Sequence, residues 1–490
     1  MPVNSFANYN LTWRPRLGAS DAPVYLALAA LLENDILSGR LPRGLKLPPQ
    51  RELADWLDID FTTVTRAYNV CKEKKLIYGI TGRGTFVSPA PADATPDRSS
   101  DNAIFDLSTV GAFPMVSSGI AAAMGRIAAG GYLDRMFSYS DTGGFEHQLA
   151  AGRHLLEMNG IETKGSSMAI FAGAQNAIAV TLFSLFSPGD KIATDPYTYS
   201  NLIGSARMAH IKLVPVEGDE GGMSAEALDK MAAKHRIKGL FVMPNAANPT
   251  GITLGEARRD ALVAVASAHS LTIIEDDISP FKPSPSRRSF FSRLPDATVY
   301  IAAFTAFLAP GFRIAYAVFP ERFRERLMKG LHLLNIKAGS LDAEVISELV
   351  LSGAAQEIME GKRKAAKEAN EVFDSVFREN ALGREAKKRA LYPFFRTINL
   401  PPSHLSGPEI EAFFAEKGIR VMHSCRFAVD KAVQHDFLRV SISSMRSTHQ
   451  LEAALHALKR ALGEYLRRQA IPRACRLHPC CAESPALGER

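Results

Sequence analysis

The sequence predicts an α/β protein of two domains, in which a small helical domain with a β-hairpin precedes a large domain built on a mostly parallel sheet. The chain of 490 residues is too long for one ordinary domain, and its 46% hydrophobic content is enough for a large core. After residue 104, apolar runs of strand length alternate with helical patterns, which indicates parallel strands joined by crossover helices. The clearest strand patterns lie at 167–171, 191–194, 239–243 and 271–274.

The charge and the cysteine content exclude some classes of protein. A net charge of +7 permits an anionic partner but is too small for this length to require one. Five cysteines are too few for a disulfide framework and favour a reducing cytoplasm. The N-terminus lacks a signal-peptide pattern, and the longest early apolar run, 24–32, is far shorter than the ~20 residues of a membrane span. A cytoplasmic protein without a membrane partner is therefore expected.

Composition divides the chain into five segments. An N-terminal arm (1–21) precedes a first domain (22–88), and the Pro-, Ala-, Asp- and Ser-rich residues 89–104 form a linker that cannot build a core. The large domain follows at 105–466, and residues 467–490, which lack an apolar period, form a mobile tail. The tail contains a cluster of possible zinc ligands, Cys475, His478, Cys480 and Cys481. Their spacing matches no closed four-ligand site, so no metal site is predicted.

The first domain contains the patterns of three helices. One is predicted at 21–38, a second begins near Gln50 after a proline-rich bend, and Asp60 is placed to cap a third at 61–74. The third helix has apolar residues at helical spacing on one face, which predicts a buried face opposite an exposed one. The buried face consists of Val64, Ala67, Tyr68 and Cys71. The exposed face consists of Thr62, Thr63, Arg66 and Asn69.

Two strand patterns, at 76–80 and 84–88, follow the third helix and are joined by a turn with glycines and an arginine. Three helices and a basic-tipped hairpin make a winged helix-turn-helix, which presents one helix to the major groove of DNA. The domain resembles the GntR family of bacterial regulators over the whole of 22–88. This resemblance rests on the segments LPPQRELA, TVTRAY and GRGTFV.

Double-stranded DNA is therefore the predicted partner of the first domain. Between residues 36 and 87, nine cations exceed five acids, so part of the positive balance is concentrated here. Threonines at the start of the recognition helix are expected to contact base edges or phosphates, and arginines to contact phosphates or guanine. The predicted DNA-binding residues are Arg51, Thr62, Thr63, Arg66 and Arg83. The alternative is that single arginines belong to a solvated face.

The large domain carries polar motifs in a fixed order. The segment FAGAQN (171–176) is a glycine turn that opens a helix, and such a helix end suits a phosphate. The segments DPYTY (195–199), NAANPTG (245–251) and IIEDD (273–277) follow. In this order they resemble the cofactor site of fold-type I aminotransferases, which are pyridoxal phosphate (PLP)-dependent transferases. That fold has a mixed, mostly parallel sheet with helices on both faces.

The resemblance implies a role for each of several residues in binding PLP. Ala174 and Gln175 belong to the turn that holds the cofactor phosphate, and Tyr199 would stack on its ring. Asn248 would donate to the phenolic oxygen of the ring. Asp276 would pair with the ring nitrogen, which keeps the ring protonated and makes it an electron sink.

The resemblance extends to the anion-binding residues. Arg313 and the hydroxyl of Thr305 correspond to groups that bind the phosphate, and Arg439 corresponds to the arginine that holds a substrate α-carboxylate. Tyr139 resembles a tyrosine that reaches the phosphate of the neighbouring subunit, which implies a homodimer. Ile278 stands where related regulators have a tyrosine near the cofactor.

Ala306 stands where the family has the lysine that anchors PLP. The segment YIAAFTAFLAPGFRIAY (300–316) otherwise matches the anchoring motif. That lysine holds the aldehyde and shuttles the substrate proton, and acid–base work of this kind is typically worth ~10²–10⁴ in rate. No catalytic residue and no efficient turnover are therefore predicted. The cofactor would be held noncovalently or as an external aldimine with an amino acid, and Ala306 is either natural or engineered.

A GntR-like domain joined to an aminotransferase-like domain is the architecture of the MocR/GabR family of transcription regulators, and the resemblance covers about 22–465. It implies a DNA-binding homodimeric regulator whose large domain senses PLP or an amino compound. Two alternatives stay open. The chain is a true aminotransferase with an accessory DNA module, or a Lys→Ala variant of one; or the large domain is degenerate and binds no cofactor.

Overall fold

A computed structural model of the chain describes residues 11–17, 23–37, 40–42, 44–74, 76–80, 83–88, 105–111, 113, 118–278, 288–303, 308–377, 393–430 and 435–470. The chain divides into two compact units, Met1–Ala103 and Ile104–Arg490. The linker 89–104, the position Ala306 and the tail cysteines lie outside the described residues.

The first unit consists of three helices and a hairpin. Its elements are α1 Val24–Leu37, α2 Gln50–Leu57, α3 Phe61–Glu73, β1 Ile77–Ile80 and β2 Gly84–Val87. The two strands pair antiparallel. Asp60 caps α3 by accepting a hydrogen bond from the backbone N–H of Thr62 at 2.7 Å. All four residues predicted for the buried face of α3 are fully buried in the core of this unit.

The described part of the N-terminal arm, residues 11–17, packs on the first unit, which the sequence interpretation did not foresee. Trp13 is 5% exposed, and its Nε1 donates to Oδ2 of Asp35 in α1 at 2.9 Å. The neighbouring Arg14 guanidinium lies 5.3 Å from the ring of Trp56 in α2. Alternating burial along Leu11–Trp13 is the signal of an extended segment, but it is too short to predict from sequence.

The second unit alternates strands and helices. Its strands are β3 Phe105–Asp106, β4 Ser167–Phe171, β5 Lys191–Thr194, β6 Lys212–Pro215, β7 Gly218–Asp219, β8 Gly222–Met223, β9 Gly239–Val242, β10 Thr272–Asp277, β11 Thr298–Ala302, β12 Ala315–Phe319, β13 Phe395–Asn399, β14 Ile419–Arg420, β15 Met422–His423 and β16 Phe437–Ser441. Its helices are α4 Ser118–Ala129, α5 Leu133–Phe137, α6 Glu146–Met158, α7 Ala174–Leu185, α8 Ser200–Met208, α9 Ala225–His235, α10 Glu256–Ala268, α11 Phe290–Arg293, α12 Glu321–Asn335, α13 Ser340–Leu351, α14 Ala354–Phe377, α15 Gly407–Glu416 and α16 Thr448–Ala470.

Within the described residues, the central sheet has seven strands in the order β4-β12-β11-β10-β9-β5-β6. Only β12 runs antiparallel to its neighbours, β11 and β4, while the other pairs are parallel. Successive residues of β12 face different hydrophobic clusters: Tyr316 packs in one and Ala317 in another, and each cluster contains helices. The prediction of a mixed, mostly parallel sheet with helices on both faces is therefore confirmed.

The apolar run at 271–274 and the segment IIEDD (273–277) form one strand, β10, whose last three residues are buried acids. One other element is longer than the sequence predicts. The last helix, α16, reaches Ala470 and so includes the first four residues of the predicted tail. Leu466 packs against the core there, and the guanidinium of Arg468 lies 5.1 Å from the ring of Phe413.

A smaller sheet, in the order β13-β16-β15, lies beside the pairing of β14 with β3. Because β3 comes directly after the linker in sequence, the start of the second unit is fixed to the elements near its end. Across the described residues, every helix is too short or too polar to span a membrane.

Candidate functional site

The candidate cofactor pocket lies at the edge of the central sheet where the parallel strands end. Segments that follow β4, β5, β9 and β10 meet at this edge, together with the residues that precede the antiparallel strand β12. They form a cavity of about 200 Å³. Six of the predicted residues line it: Ala174, Gln175, Tyr199, Asn248, Asp276 and Arg313. The parallel topology thus brings together motifs that are far apart in sequence.

The phosphate end of the cavity is formed by the turn before α7 and by Arg313. Gly173 has φ of +83° and precedes the first residue of α7, which has no side-chain cap. A Cβ atom at this glycine would lie 2.6 Å from Nη2 of Arg313, so only glycine permits this approach. A guanidinium beside uncapped helix N–H groups is a strong site for a dianion.

Asp276 supplies a buried carboxylate to the lining of the cavity. Its side chain is 2% exposed, and its Oδ1 has no hydrogen-bond partner among the described residues. Burial, and then the charge of Asp277, raise the pKa of Asp276 to about 7. Asp277 itself is held by Nδ2 of Asn245 at 3.0 Å and by the hydroxyl of Tyr300 at 2.8 Å. A cation placed beside Asp276 would remove the electrostatic penalty of its ionised form.

Tyr199 also lines the cavity and is influenced by the charges of both Asp276 and Arg313. Its hydroxyl accepts a hydrogen bond from Nδ2 of Asn201 at 2.9 Å, and the same Nδ2 lies 3.1 Å from Oε1 of Gln175. Burial and the nearby Asp276 raise the pKa of Tyr199, while Arg313 and Arg439 oppose this shift. Tyr199 therefore stays neutral at physiological pH, as suits a ring that packs against a ligand.

Arg439 lies next to the cavity on β16 and is 5% exposed. Its Nη1 donates to Oδ1 of Asn248 at 3.3 Å, and its Nη2 donates to the backbone carbonyl of Ser108. The guanidinium is 5.0 Å from the ring of Phe427. Burial lowers the pKa of Arg439 to about 10, so the side chain remains charged and is placed to bind a carboxylate.

Three further positions that the sequence assigns to the pocket are not among the described residues that line the cavity. Tyr139 is 86% exposed and does not line the cavity of its own chain. Thr305 and Ala306 lie outside the described residues, although Ala303 before them and Pro310 after them both line the cavity. Sequence reasoning missed the apolar wall made by Val110, Gly111, Phe394 and Phe395. These residues carry no reactive group, and their segments have no motif spacing that would identify them.

The donors and acceptors of this cavity fit PLP. Arg313 and the start of α7 suit the phosphate, and the unpartnered oxygen of Asp276 suits a protonated ring nitrogen. The amide of Asn248 lines the same cavity and accepts a hydrogen bond from Arg439. The buried Oδ1 of Asp276 and the buried Nε of Arg439 have no partners among the described residues, so both can accommodate a polar ligand.

The predicted DNA-binding residues lie on the surface of the first unit. Arg51, Thr62, Arg66 and Arg83 are exposed, and Thr63 is half-buried. Arg51 and Arg83 line one groove with Lys46, which sequence reasoning missed, and with Phe61, the first residue of α3. The hydroxyl of Thr62 donates to Asp60 at 2.5 Å, so this threonine can only accept a hydrogen bond from DNA. The groove is open, basic and partly aromatic, as a nucleic-acid surface requires.

Comparisons with known proteins identify one family for the first unit and another for the second. The family described as "Bacterial regulatory proteins, gntR family" matches residues 24–87, and "Aminotransferase class I and II" matches residues 116–458. The chain is 33% identical over 471 residues to an uncharacterized HTH-type transcriptional regulator, YdeF of Bacillus subtilis, covering 95% of this chain and 100% of that protein. It is 23% identical to the probable rhizopine catabolism regulatory protein MocR of Rhizobium meliloti, covering 74% and 78% of the two chains.

Solved structures share the fold of the large domain. A kynurenine aminotransferase from Pyrococcus horikoshii has a TM-score of 0.66 at 20% identity, covering 75% of this chain and 92% of its own. The α-aminoadipate aminotransferase LysN from Thermus thermophilus has a TM-score of 0.67 at 20% identity, covering 74% and 93%. The fold of the second unit is therefore that of fold-type I aminotransferases.

Proposed function

Because this chain belongs to the MocR-type family of transcription regulators, in which a GntR helix-turn-helix domain is fused to an aminotransferase-like domain, we propose that it binds DNA under the control of PLP and an amino compound. The large domain binds this ligand without efficient catalysis. One observation supports the ligand half of the proposal: the cavity that Arg313 lines is also lined by the buried Asp276, whose Oδ1 has no hydrogen-bond partner among the described residues.

Each pocket residue has a task in this proposal. PLP, when bound, supplies an electron-withdrawing ring and an aldehyde. Arg313 and the N–H groups that open α7 hold its phosphate, Tyr199 covers the ring, and Asp276 holds the proton of the ring nitrogen. Arg439 binds the carboxylate of an amino compound. Alanine at position 306 provides no amine for attachment and no base for proton transfer. The functional event at this pocket is therefore ligand binding and not catalytic turnover.

The DNA half of the proposal predicts a specific loss when Arg66 is removed. Arg66→Ala should weaken binding to the DNA upstream of the protein's own gene about tenfold, because it removes one cation from the predicted DNA-facing side of α3. For the same reason, the number of salt ions released on binding should fall by about one. Fluorescence anisotropy at several salt concentrations, with random DNA as competitor, measures both effects.

Lys74→Ala is the matched control for Arg66→Ala. Lys74 follows the last residue of the same helix and is paired with Glu33 at 2.5 Å, so its removal changes the net charge equally without changing the predicted DNA face. Equal losses in the two variants, or no preference of the unaltered protein for its own upstream DNA, would contradict the proposal.

A homodimer is also proposed, and an apolar surface on the second unit supports it. This dimer patch consists of Phe137, Tyr139, Leu333, Leu334 and Ile336, all of which are exposed. The residues lie together because Nζ of Lys337 donates to the carbonyl of Ser138 at 2.8 Å. A cluster of large exposed apolar side chains marks an interaction surface. The position of Tyr139 within it agrees with a tyrosine that serves the pocket of the partner subunit.

Leu333→Glu should raise the dimer dissociation constant at least about 100-fold, because it removes apolar contact and places a charge in the interface. Analytical ultracentrifugation over a concentration series measures this. Leu351→Glu is the control, since Leu351 is similarly exposed but lies at the end of α13, outside the dimer patch. The patch is not the interface if both variants dimerise as the unaltered protein does.

A further inference from the structure

The segment 105–111 connects the start of the second unit to the ligand cavity. The backbone N–H groups of Phe105 and Leu107 donate to the carbonyls of Gly418 at 2.7 Å and Arg420 at 2.8 Å. Three residues further on, Val110 and Gly111 line the cavity. Since residues 89–104 are the linker, this is the first described part of the chain after the DNA-binding unit. A change in the cavity that moved this segment would act directly on the attachment point of the linker.

Arg439 ties this segment to the pocket. Its Nη2 donates to the carbonyl of Ser108, and Nη1 donates to Asn248 at a longer distance of 3.3 Å. Among the described residues, no carboxylate forms an ion pair with Arg439, and its buried Nε has no partner. The strongest acceptor available to this buried cation is therefore a neutral backbone carbonyl.

A carboxylate is a stronger acceptor for a guanidinium than an amide carbonyl, because it is charged and can accept two parallel hydrogen bonds. A carboxylate that entered the cavity would therefore compete with Ser108 for Nη2 of Arg439. Several other hydrogen bonds hold the first residues of the segment: the amide of Ser108 donates to Oδ1 of Asp106 at 2.9 Å, the hydroxyl of Ser444 donates to the carbonyl of Asp106 at 2.7 Å, and the amide of Ser441 donates to the carbonyl of Leu107 at 2.8 Å. Loss of the Arg439 contact would leave these bonds and the two-residue pairing of β3, all of which lie on the side of Ser108 away from the cavity.

We propose that the Ser108 carbonyl is an internal substitute for the effector carboxylate, and that an effector carrying both a primary amine and a carboxylate releases segment 105–111 by displacing it from Arg439. This inference rests on the proposed function and adds to it the first structural change that follows effector binding. An amine without a carboxylate fills the same pocket but leaves the Ser108 contact in place. Signalling therefore requires the carboxylate, while binding of the ring and phosphate does not.

Two stable probes that differ only in the carboxylate test this step. N-(5'-phosphopyridoxyl)-L-alanine and N-(5'-phosphopyridoxyl)-ethylamine present the same ring and phosphate to the full chain. Hydrogen exchange by mass spectrometry should show the Phe105 and Leu107 amides exchanging about tenfold faster with the alanine conjugate and unchanged with the ethylamine conjugate. Arg439→Ala should show the faster exchange without any probe and no further response. Exchange in β6, which contributes no residue to the lining of the cavity, serves as the folding control.

The outcomes separate this inference from the proposed function. If both conjugates bind and exchange in 105–111 is the same with each, or slower with the alanine conjugate, the displacement step is wrong while ligand sensing stands. If neither conjugate binds, by fluorescence titration of the pyridoxyl group, both the displacement step and the proposed ligand are wrong.

Discussion

Replacing Asp276 with asparagine is expected to weaken PLP binding about 100-fold, because a buried charge-assisted contact to the ring nitrogen is lost. The same substitution should make the ligand-free protein more stable above pH 7, by roughly 2–4 kcal/mol. A titration followed by PLP absorbance measures the first effect, and urea unfolding at several pH values measures the second. A loss of affinity combined with a gain of stability is the mark of a residue kept for its ligand.

The contribution of Asp276 to the free energy of unfolding changes with pH in a direction that its pKa determines. The pKa of Asp276 is raised from 3.8 to about 7, so the folded protein binds this proton more tightly than the unfolded chain does. The resulting contribution to the free energy of unfolding is fully present below about pH 4 and is lost as the pH rises through about 7. Asparagine does not titrate, so Asp276→Asn and the unaltered protein should be equally stable at pH 4. At pH 8 the variant should show its full gain in the free energy of unfolding.

Glu275→Gln is the contrasting control. Glu275 is equally buried, and its pKa is also raised to about 7, mainly by burial. Its two carboxylate oxygens, however, accept the backbone N–H groups of Phe290 at 3.0 Å and Phe291 at 2.9 Å. Replacing one oxygen with an amide nitrogen breaks one of these bonds, so this variant should lose stability at pH 4, where both carboxyl groups are protonated and Asp276→Asn should be neutral. If Asp276→Asn behaves in the same way, its oxygen is not a vacant ligand site.

Ala306→Lys is expected to convert reversible PLP binding into covalent attachment. The motif on both sides of position 306 matches the anchoring segment, and Ala303 and Pro310 line the cavity, so we expect a lysine introduced between them to supply the amine with which the aldehyde reacts. Borohydride reduction followed by mass spectrometry should find one pyridoxyl group on the variant, and none on the unaltered chain treated identically.

The same variant decides between the regulator and the aminotransferase alternatives. A pocket with Arg439, Asp276 and Asn248 in place retains the polar groups that a transamination site needs apart from the lysine. Sustained keto-acid formation from an amino donor by Ala306→Lys, with none from the unaltered chain, would assign the loss of chemistry to this single position. Keto-acid formation by the unaltered chain would contradict the proposal of a noncatalytic sensor, and absence of covalent PLP in the variant would contradict the anchoring role of position 306.

Regular periodicity made much of the fold predictable. The face of α3 with Val64 and Tyr68 followed from a helical repeat, and the strand positions of the central sheet followed from apolar runs. The pocket residues were predicted from the resemblance of their motifs to an aminotransferase cofactor site. The topology explains their convergence: motifs at the ends of parallel strands meet at one sheet edge, so Tyr199, Asn248 and Asp276 come together although they are far apart in sequence.

The parts that could not be predicted lack a repeat or depend on distant contacts. Residues 11–17 are too few to give a period, and their burial depends on Asp35 and Trp56, which sequence does not place nearby. The burial of Asp277 at the end of β10 depends on hydrogen bonds from Asn245 and Tyr300, which belong to other segments of the chain. The contact of Arg439 with Ser108 spans most of the second unit and has no local signal.

The ligand cavity collects side chains from Val110 through Phe395, and Arg439 adjoins it, so nearly the whole second unit must be synthesised before the cavity exists. The first unit has its own hydrophobic core and needs none of that chain. A nonsense mutation before Phe395 should therefore leave a fragment that keeps the hydrophobic core of the first unit but lacks a complete ligand cavity.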